Sequence, residues 1–189
     1  MGCDRDFNSI RRTTPYTMIT TLEELYLDQI RDLYSAETQL VAALPEMAAK
    51  ATCVELRDAF NSHLKETHGH VKRLLEISER HGISPESVTC DAMRGLVTEA
   101  KKHLSETEPG DVRDAVLIAS ANRVEHYEIA GYGVAKAFAE CLGFGDDADI
   151  LDQTLQEEGD ADKKITAIAT GGIFRSGINE AASHVGSGA

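Results

Sequence analysis

The chain has 189 residues, 42% of them hydrophobic and 27% charged, an ordinary composition for one globular domain with a real core. Its formal net charge of −13 argues against nucleic-acid and anionic-membrane partners, which favour basic patches, and makes cations the natural small partner. No apolar run approaches the roughly 20 residues that a bilayer-spanning helix requires, so no membrane partner is expected.

The first residues, MGCDRDFNSIRRTTPYT (1–17), are basic, lack the apolar middle of a signal peptide and precede a second methionine, Met18. They read as a flexible extension, with the true start at Met1 or Met18. From Thr20 to Ala169 apolar residues recur at helical spacing, without alternating strand patterns or Asn-Gly hairpin turns. The first helix runs from about Leu22 to Ala51 with Leu22, Ile30, Leu33, Leu40, Leu44 and Met47 on one stripe, and Pro45 inside it should kink it near Val41. Thr52 and Glu55 have the spacing of a capping box that opens a second helix, which ends before HGISP at 81–85. A short amphipathic helix at about Asp91–Ser105 lies in the long connection that follows and ends at Pro109-Gly110. A third long helix spans about Val112–Leu142, GFGDD ends it, and a fourth covers about Asp147–Thr170. The Gly- and Ser-rich remainder, 171–189, reads as a flexible tail. The expected fold is therefore all-α: a bundle over 18–170 whose long crossover carries an extra short helix, an architecture that hosts metal sites.

Residues seven apart on a helix nearly overlay, so buried positions can be found by phase. Glu37 overlays Ile30 and Leu44, Glu125 overlays Ile118 and Tyr132, Glu158 overlays Leu151 and Ile165, and Asp162 overlays Leu155 and Ala169. Glu128 shares a sector with Glu125, Ile129 and Tyr132. On the second helix His63 and His70 overlay Leu56 and Ile77, and Glu66 lies between them toward one edge, in phase with Arg73. Unpaired buried carboxylates cost several kcal/mol each, and apart from Arg73 no lysine or arginine shares these sectors. A pair of divalent cations would neutralise them, and bridging carboxylates with imidazoles suit iron or manganese.

Each residue also has a plainer explanation. A single Glu in an apolar stripe is often a snorkelling or interface residue, Glu66 can simply pair with Arg73, and a histidine on an apolar arc often donates to a neighbouring carboxylate. It is the coincidence on several helices that favours a metal centre. His68 falls on the polar face, His126 and Glu157 are out of phase and suit surface or supporting roles, and Tyr34, Tyr127 and Tyr132 read as packing residues. Cys3, Cys53, Cys90 and Cys141 are scattered without a CxxC pair, which disfavours zinc and disulfides and points to a reducing cytoplasm.

The segments RDLYSAETQL (31–40), HLKETHGHVKRL (63–74), RVEHYEIAGYG (123–133) and TLQEEGDADKKIT (154–166) resemble the YciE/YciF family of bacterial ferritin-like proteins. The resemblance covers about residues 18–170 and implies a ferritin-like four-helix bundle, paired as a homodimer, with a di-iron centre and a link to stress response. Glu37, Glu125, Glu128, Glu158 and Asp162 match the slots of the broader rubrerythrin-like pattern. The second helix departs from it: Gly69 stands three after Glu66, so an imidazole comes from His70 or His63, or is absent.

The leading expectation is a cytoplasmic protein with two Fe or Mn ions per chain that handles oxygen or peroxide or oxidises Fe(II). In it Glu66 and Glu158 bridge, Glu37 and Glu125 hold one metal, and Glu128 and Asp162 help hold the other. Two metals supply charge stabilisation and redox electrons. Without a rubredoxin-like CxxC pair, electrons come from a separate donor or from Fe(II) itself. The alternative is a stress-induced helical interaction or structural protein with a vestigial site. A Mg²⁺-dependent hydrolase is a third reading, which no nucleophile or phosphate loop accompanies.

Overall fold

Thr21 opens the first helix, α1 (Leu22–Lys50), with a reciprocal cap: its hydroxyl accepts from Glu24 N at 3.1 Å and Glu24 Oε2 accepts from Thr21 N at 3.1 Å. The computed structural model of the protein describes residues 18–172 and 175–185, so the expected extension 1–17 lies outside the described residues. α1 continues unbroken through Pro45, and its stripe is buried except for Leu22, which is 37% exposed at the first turn. Next come α2 (Val54–Arg80), a 3-10 turn at Pro85–Ser87, and α3 (Asp91–Ser105) within the long crossover. α4 (Asp111–Leu142) and α5 (Gly145–Thr170) complete the set of long helices. Gly143, at φ 77°, ends α4 in the left-handed conformation that glycine adopts without penalty.

The long helices form the all-α, ferritin-like bundle. α1 packs on α2 and α4 on α5, the pairs are closed by α1–α4 and α2–α5 contacts, and α3 lies along α1 and α4. Apolar side chains form two groups. Leu40, Leu44, Phe60, Met93, Leu117 and Ile165 belong to one, and Tyr26, Ile30, Leu33, Leu74, Tyr132 and Leu151 to the other. Glu37, His63, Glu125 and Glu158 fall in sequence between members of the two, so a polar layer crosses the bundle. Among the described residues, no helix is long and apolar enough to cross a membrane.

One local expectation is corrected. α2 is not opened by a Thr52–Glu55 capping box: its N-cap is Cys53, without a side-chain cap bond. Thr52 Oγ1 instead accepts from Gly110 N at 3.1 Å, and the buried Asp114 carboxylate accepts from Thr52 N at 2.8 Å and Cys53 N at 2.7 Å. These bonds clasp the α1–α2 turn to the start of α4, and the long-range partner outcompetes the local cap. The residues after Thr170, expected as a flexible tail, include an antiparallel pair, β1 (Gly171–Gly172) with β2 (Arg175–Ser176), and α6 (Ile178–Ser183). Ile178 is buried in the group that contains Ile165 and Ile168, and α6 packs on α4 and α5.

Replacing Asp114 with alanine removes both acceptors of the clasp and leaves two backbone donors without them. Urea denaturation should show a loss of about 1–3 kcal/mol. A loss below about 0.5 kcal/mol would show that the clasp contributes little.

Candidate metal centre

Four helices deliver ionisable side chains into the polar layer. Glu37 comes from α1, His63 and His70 from α2, Glu125 and Glu128 from α4, and Glu158 from α5, and all six are buried. Spacings of seven between the histidines and three between the α4 glutamates keep each pair on one helical face. Ligand-capable atoms of His63, Glu125, Glu128 and Glu158 all lie within 4.8 Å of one another, as do those of Glu37, His70 and Glu158. Glu158 belongs to both groups. Its Oε1 is 2.9 Å from His70 Nδ1 and its Oε2 is 3.6 Å from His63 Nε2. His63 Nε2 is also 3.4 Å from Glu125 Oε1, and His70 Nδ1 is 3.3 Å from Glu37 Oε1.

These atoms are close but not aligned as hydrogen bonds. His63 Nε2, His70 Nδ1, both oxygens of Glu128 and Glu158, and Oε2 of Glu37 and Glu125 are buried without a hydrogen-bond partner. Buried polar atoms are normally satisfied, and these partnerless atoms converge from four helices on one layer. The donor set fits divalent metal. Four carboxylates and two neutral imidazoles carry a formal charge of four minus, which two divalent cations neutralise.

The outer imidazole nitrogens have partners nearer solvent. His63 Nδ1 lies 3.3 Å from Glu66 Oε2, and His70 Nε2 lies 2.9 Å from Glu157 Oε2. When each outer N–H donates to its glutamate, the inner nitrogen keeps the lone pair that a cation needs. Arg73 holds Glu157 through bonds of 2.6 and 2.9 Å and also donates to Thr154 Oγ1 at 3.1 Å. Burial opposes ionisation of Glu157, but Arg73, Gln153 and His70 outweigh it and hold the carboxyl down at about 2. Tyr132 donates its hydroxyl to Glu37 Oε1, the oxygen that also faces His70 Nδ1.

Without metal the electrostatics are opposed. Burial raises Glu128 well above the carboxylate range, and Glu37, Glu158 and Glu125 push it further. Burial likewise raises Glu125 and Glu37, against the pull of His63 and His70 respectively. Glu158 is lowered, because the two histidines outweigh its burial. Burial disfavours a proton on either imidazole, yet the surrounding glutamates raise His63 to about 9 and His70 to about 10.

Of the residues singled out by sequence, Glu66 and Asp162 lie outside both groups. The Glu66 side chain is 43% exposed beside His63. Asp162 accepts from Asn122 Nδ2 at 2.7 Å and has His126 Nε2 at 3.4 Å. Arg73, in phase with Glu66, bonds Glu157 instead. Tyr127 points away from the cluster, bonding Asp32 and approaching Cys90 Sγ at 2.9 Å. Two buried acids escaped the sequence reading: Asp114, and Asp147, which accepts from Tyr26 at 2.8 Å and pairs with Arg80 and His81. Each stands eleven residues before a cluster glutamate, Glu125 or Glu158, and so shares its phase.

Residues 21–182 match the family described as "Domain of unknown function (DUF892)". The chain belongs to the DUF892 family. Within it, the chain is 40% identical over 162 residues to protein YciF of Escherichia coli (strain K12), spanning 85% of this chain and 98% of that protein. Among solved structures, YcfI from Rhodopseudomonas palustris superposes with a TM-score of 0.78 at 40% identity, over 82% of this chain and 98% of that one. The E. coli stress protein YciF gives 0.75 at 42% identity, over 78% and 94%. A Xanthomonas campestris protein, 16% identical with a TM-score of 0.65 over 87% and 95%, shares the fold.

The surrounding glutamates favour the protonated form of both imidazoles at neutral pH. Ligation requires them neutral, so binding of Mn²⁺ or Co²⁺ at pH 7 should release protons and tighten as pH rises toward 9. Calorimetry in buffers of different ionisation enthalpy measures that release. A binding enthalpy independent of buffer would contradict it.

Proposed function

We propose that this DUF892 protein binds two divalent iron or manganese ions per chain and uses them in a stress response that handles dioxygen or peroxide or oxidises Fe(II). The observation that carries the reading is the set of buried, partnerless carboxylate and imidazole atoms on four helices. The stress protein YciF of E. coli, 42% identical, supports the physiological setting. Glu37, His70 and Glu158 are the residues that would hold one ion, and His63, Glu125, Glu128 and Glu158 the other, with Glu158 shared. Bound iron or manganese would supply redox electrons and Lewis acidity. The chain's own part is to hold the donors in place. Glu66 and Glu157 orient the imidazoles, Tyr132 holds Glu37, and the two apolar groups keep bulk water from the layer. Glu66 and Asp162 belong to the surroundings of the centre in this reading. A homodimer, a cytoplasmic location and a separate electron donor complete the proposal.

A second reading has one observation in its favour. The histidines lie 2.9–3.6 Å from carboxylate oxygens and, when protonated, partly neutralise the cluster without metal. The protein would then be a helical structural or interaction protein.

Two experiments separate the readings. Anaerobic Fe(II) added to apoprotein should bind at two ions per chain and raise the melting temperature, then drive loss of added peroxide. A Glu37→Ala, Glu125→Ala double variant should lose all three responses. Fewer than two ions per chain, or an unchanged double variant, would rule out the metal reading. In the second experiment, Glu128→Leu should stabilise the apoprotein by about 1–4 kcal/mol, because a fully buried acid is replaced by an apolar side chain. It should also weaken stabilisation by added metal. A variant that gains stability but responds to metal like the wild type would remove Glu128 from the site.

A further inference from the structure

The cluster is covered unequally. α3 lies along α1 and α4, whereas α2 and α5 meet on the opposite side of the bundle. There a cleft of about 170 Å³, with room for several waters, is lined by His63, Glu66, Glu157, Asp160 and Lys164, with Ala59, Ala161 and Ile165 as its apolar walls. His63 is 3% exposed and forms the partition between cleft and cluster. Its Nδ1 meets Glu66 on the cleft side, and its partnerless Nε2 lies 3.4 Å from Glu125 and 3.6 Å from Glu158 on the other.

From this we infer that the α2–α5 cleft is the route by which divalent cations reach the cluster, with Glu66 as the carboxylate that receives the ion at the mouth and passes it along His63. The inference rests on the metal reading above. Three features support it. Of the carboxylates lining the cleft, Glu157 is paired with Arg73 and Asp160 with Lys163, so Glu66 is the lining carboxylate without a lysine or arginine partner among the described residues, and the one that can receive a cation. Glu157 is tied to Arg73 and His70, and Glu66 is the carboxylate with freedom to move: its side chain is 43% exposed and its contact is one 3.3 Å approach to His63. The buried end of the path is an imidazole nitrogen without a hydrogen-bond partner rather than an apolar plug.

The test separates rate from stoichiometry. Stopped-flow absorbance would follow Co²⁺ binding to the full apoprotein, comparing wild type with Lys164→Glu and Asp160→Lys at the mouth, and with Lys102→Glu on α3 as a charge change on the other side. The mouth residues are exposed, so folding should be preserved. At low salt, Lys164→Glu should load faster and Asp160→Lys slower than wild type, each by about threefold or more, with Lys102→Glu close to wild type. The differences should shrink at 0.5 M salt, and all four proteins should reach the same two ions per chain. Equal loading rates with full stoichiometry would overturn the route while leaving the site intact. A comparable acceleration by Lys102→Glu would overturn it as well. Failure of the wild type to bind two ions would overturn the site on which the route depends.

Discussion

Burial of Glu37, Glu125, Glu128 and Glu158 in one layer is the constraint around which the rest of this protein is arranged. A carboxylate removed from water without a partner costs several kcal/mol, and here four share one layer. Packing cannot make such a layer favourable. What it can do is fix the acids where a common ligand compensates them, and the two apolar groups on either side serve that end. The layer is thus a place where the fold is less stable than its hydrophobic content would allow, and that concession is the strongest sign of function in the chain.

The support extends outward in order of burial. Tyr132 and the two imidazoles touch the acids directly, Glu66 and Glu157 touch the imidazoles, and Arg73 fixes Glu157. Elsewhere buried acids follow the opposite rule. Asp114 accepts two backbone N–H groups, and Asp147 is met by a phenol, a guanidinium and an imidazole. The same chain therefore contains buried carboxylates that are fully satisfied and others left with orphaned oxygens. The contrast makes the orphans informative, because this fold evidently can satisfy an acid where satisfaction is what the position requires.

Much of this was legible in the sequence because helical phase is a local property. The helices follow from apolar residues at helical spacing, Glu37, His63, His70, Glu125 and Glu158 from residues overlaying at seven, and Glu128 from the sector it shares with Glu125, while the resemblance to a ferritin-like family points to the same bundle. What was lost depended on distant partners. The hydroxyl of Thr52 reads as a cap until Gly110, far along the chain, takes it. Glu66 is within the right arc, but it lies about 40–60° from His63 and His70 around the helix, and this turns it to the α2–α5 cleft. Composition reads the end of the chain as loose because it is rich in Gly and Ser, yet among its described residues Ile178 is buried in the core and α6 packs on α4 and α5. Asp114 and Asp147 share the phase of Glu125 and Glu158, but each lies near a helix start, where acids are expected on electrostatic grounds whether or not they are buried.

The central claim is that the polar layer is a two-metal centre. Crystals of the full chain grown with Mn²⁺ and measured at an energy where manganese scatters anomalously test it most directly. Two anomalous peaks per chain are expected, one among Glu37, His70 and Glu158 and the other among His63, Glu125, Glu128 and Glu158. A layer without such peaks, its carboxylates bonded instead to ordered waters or to protonated histidines, would contradict it.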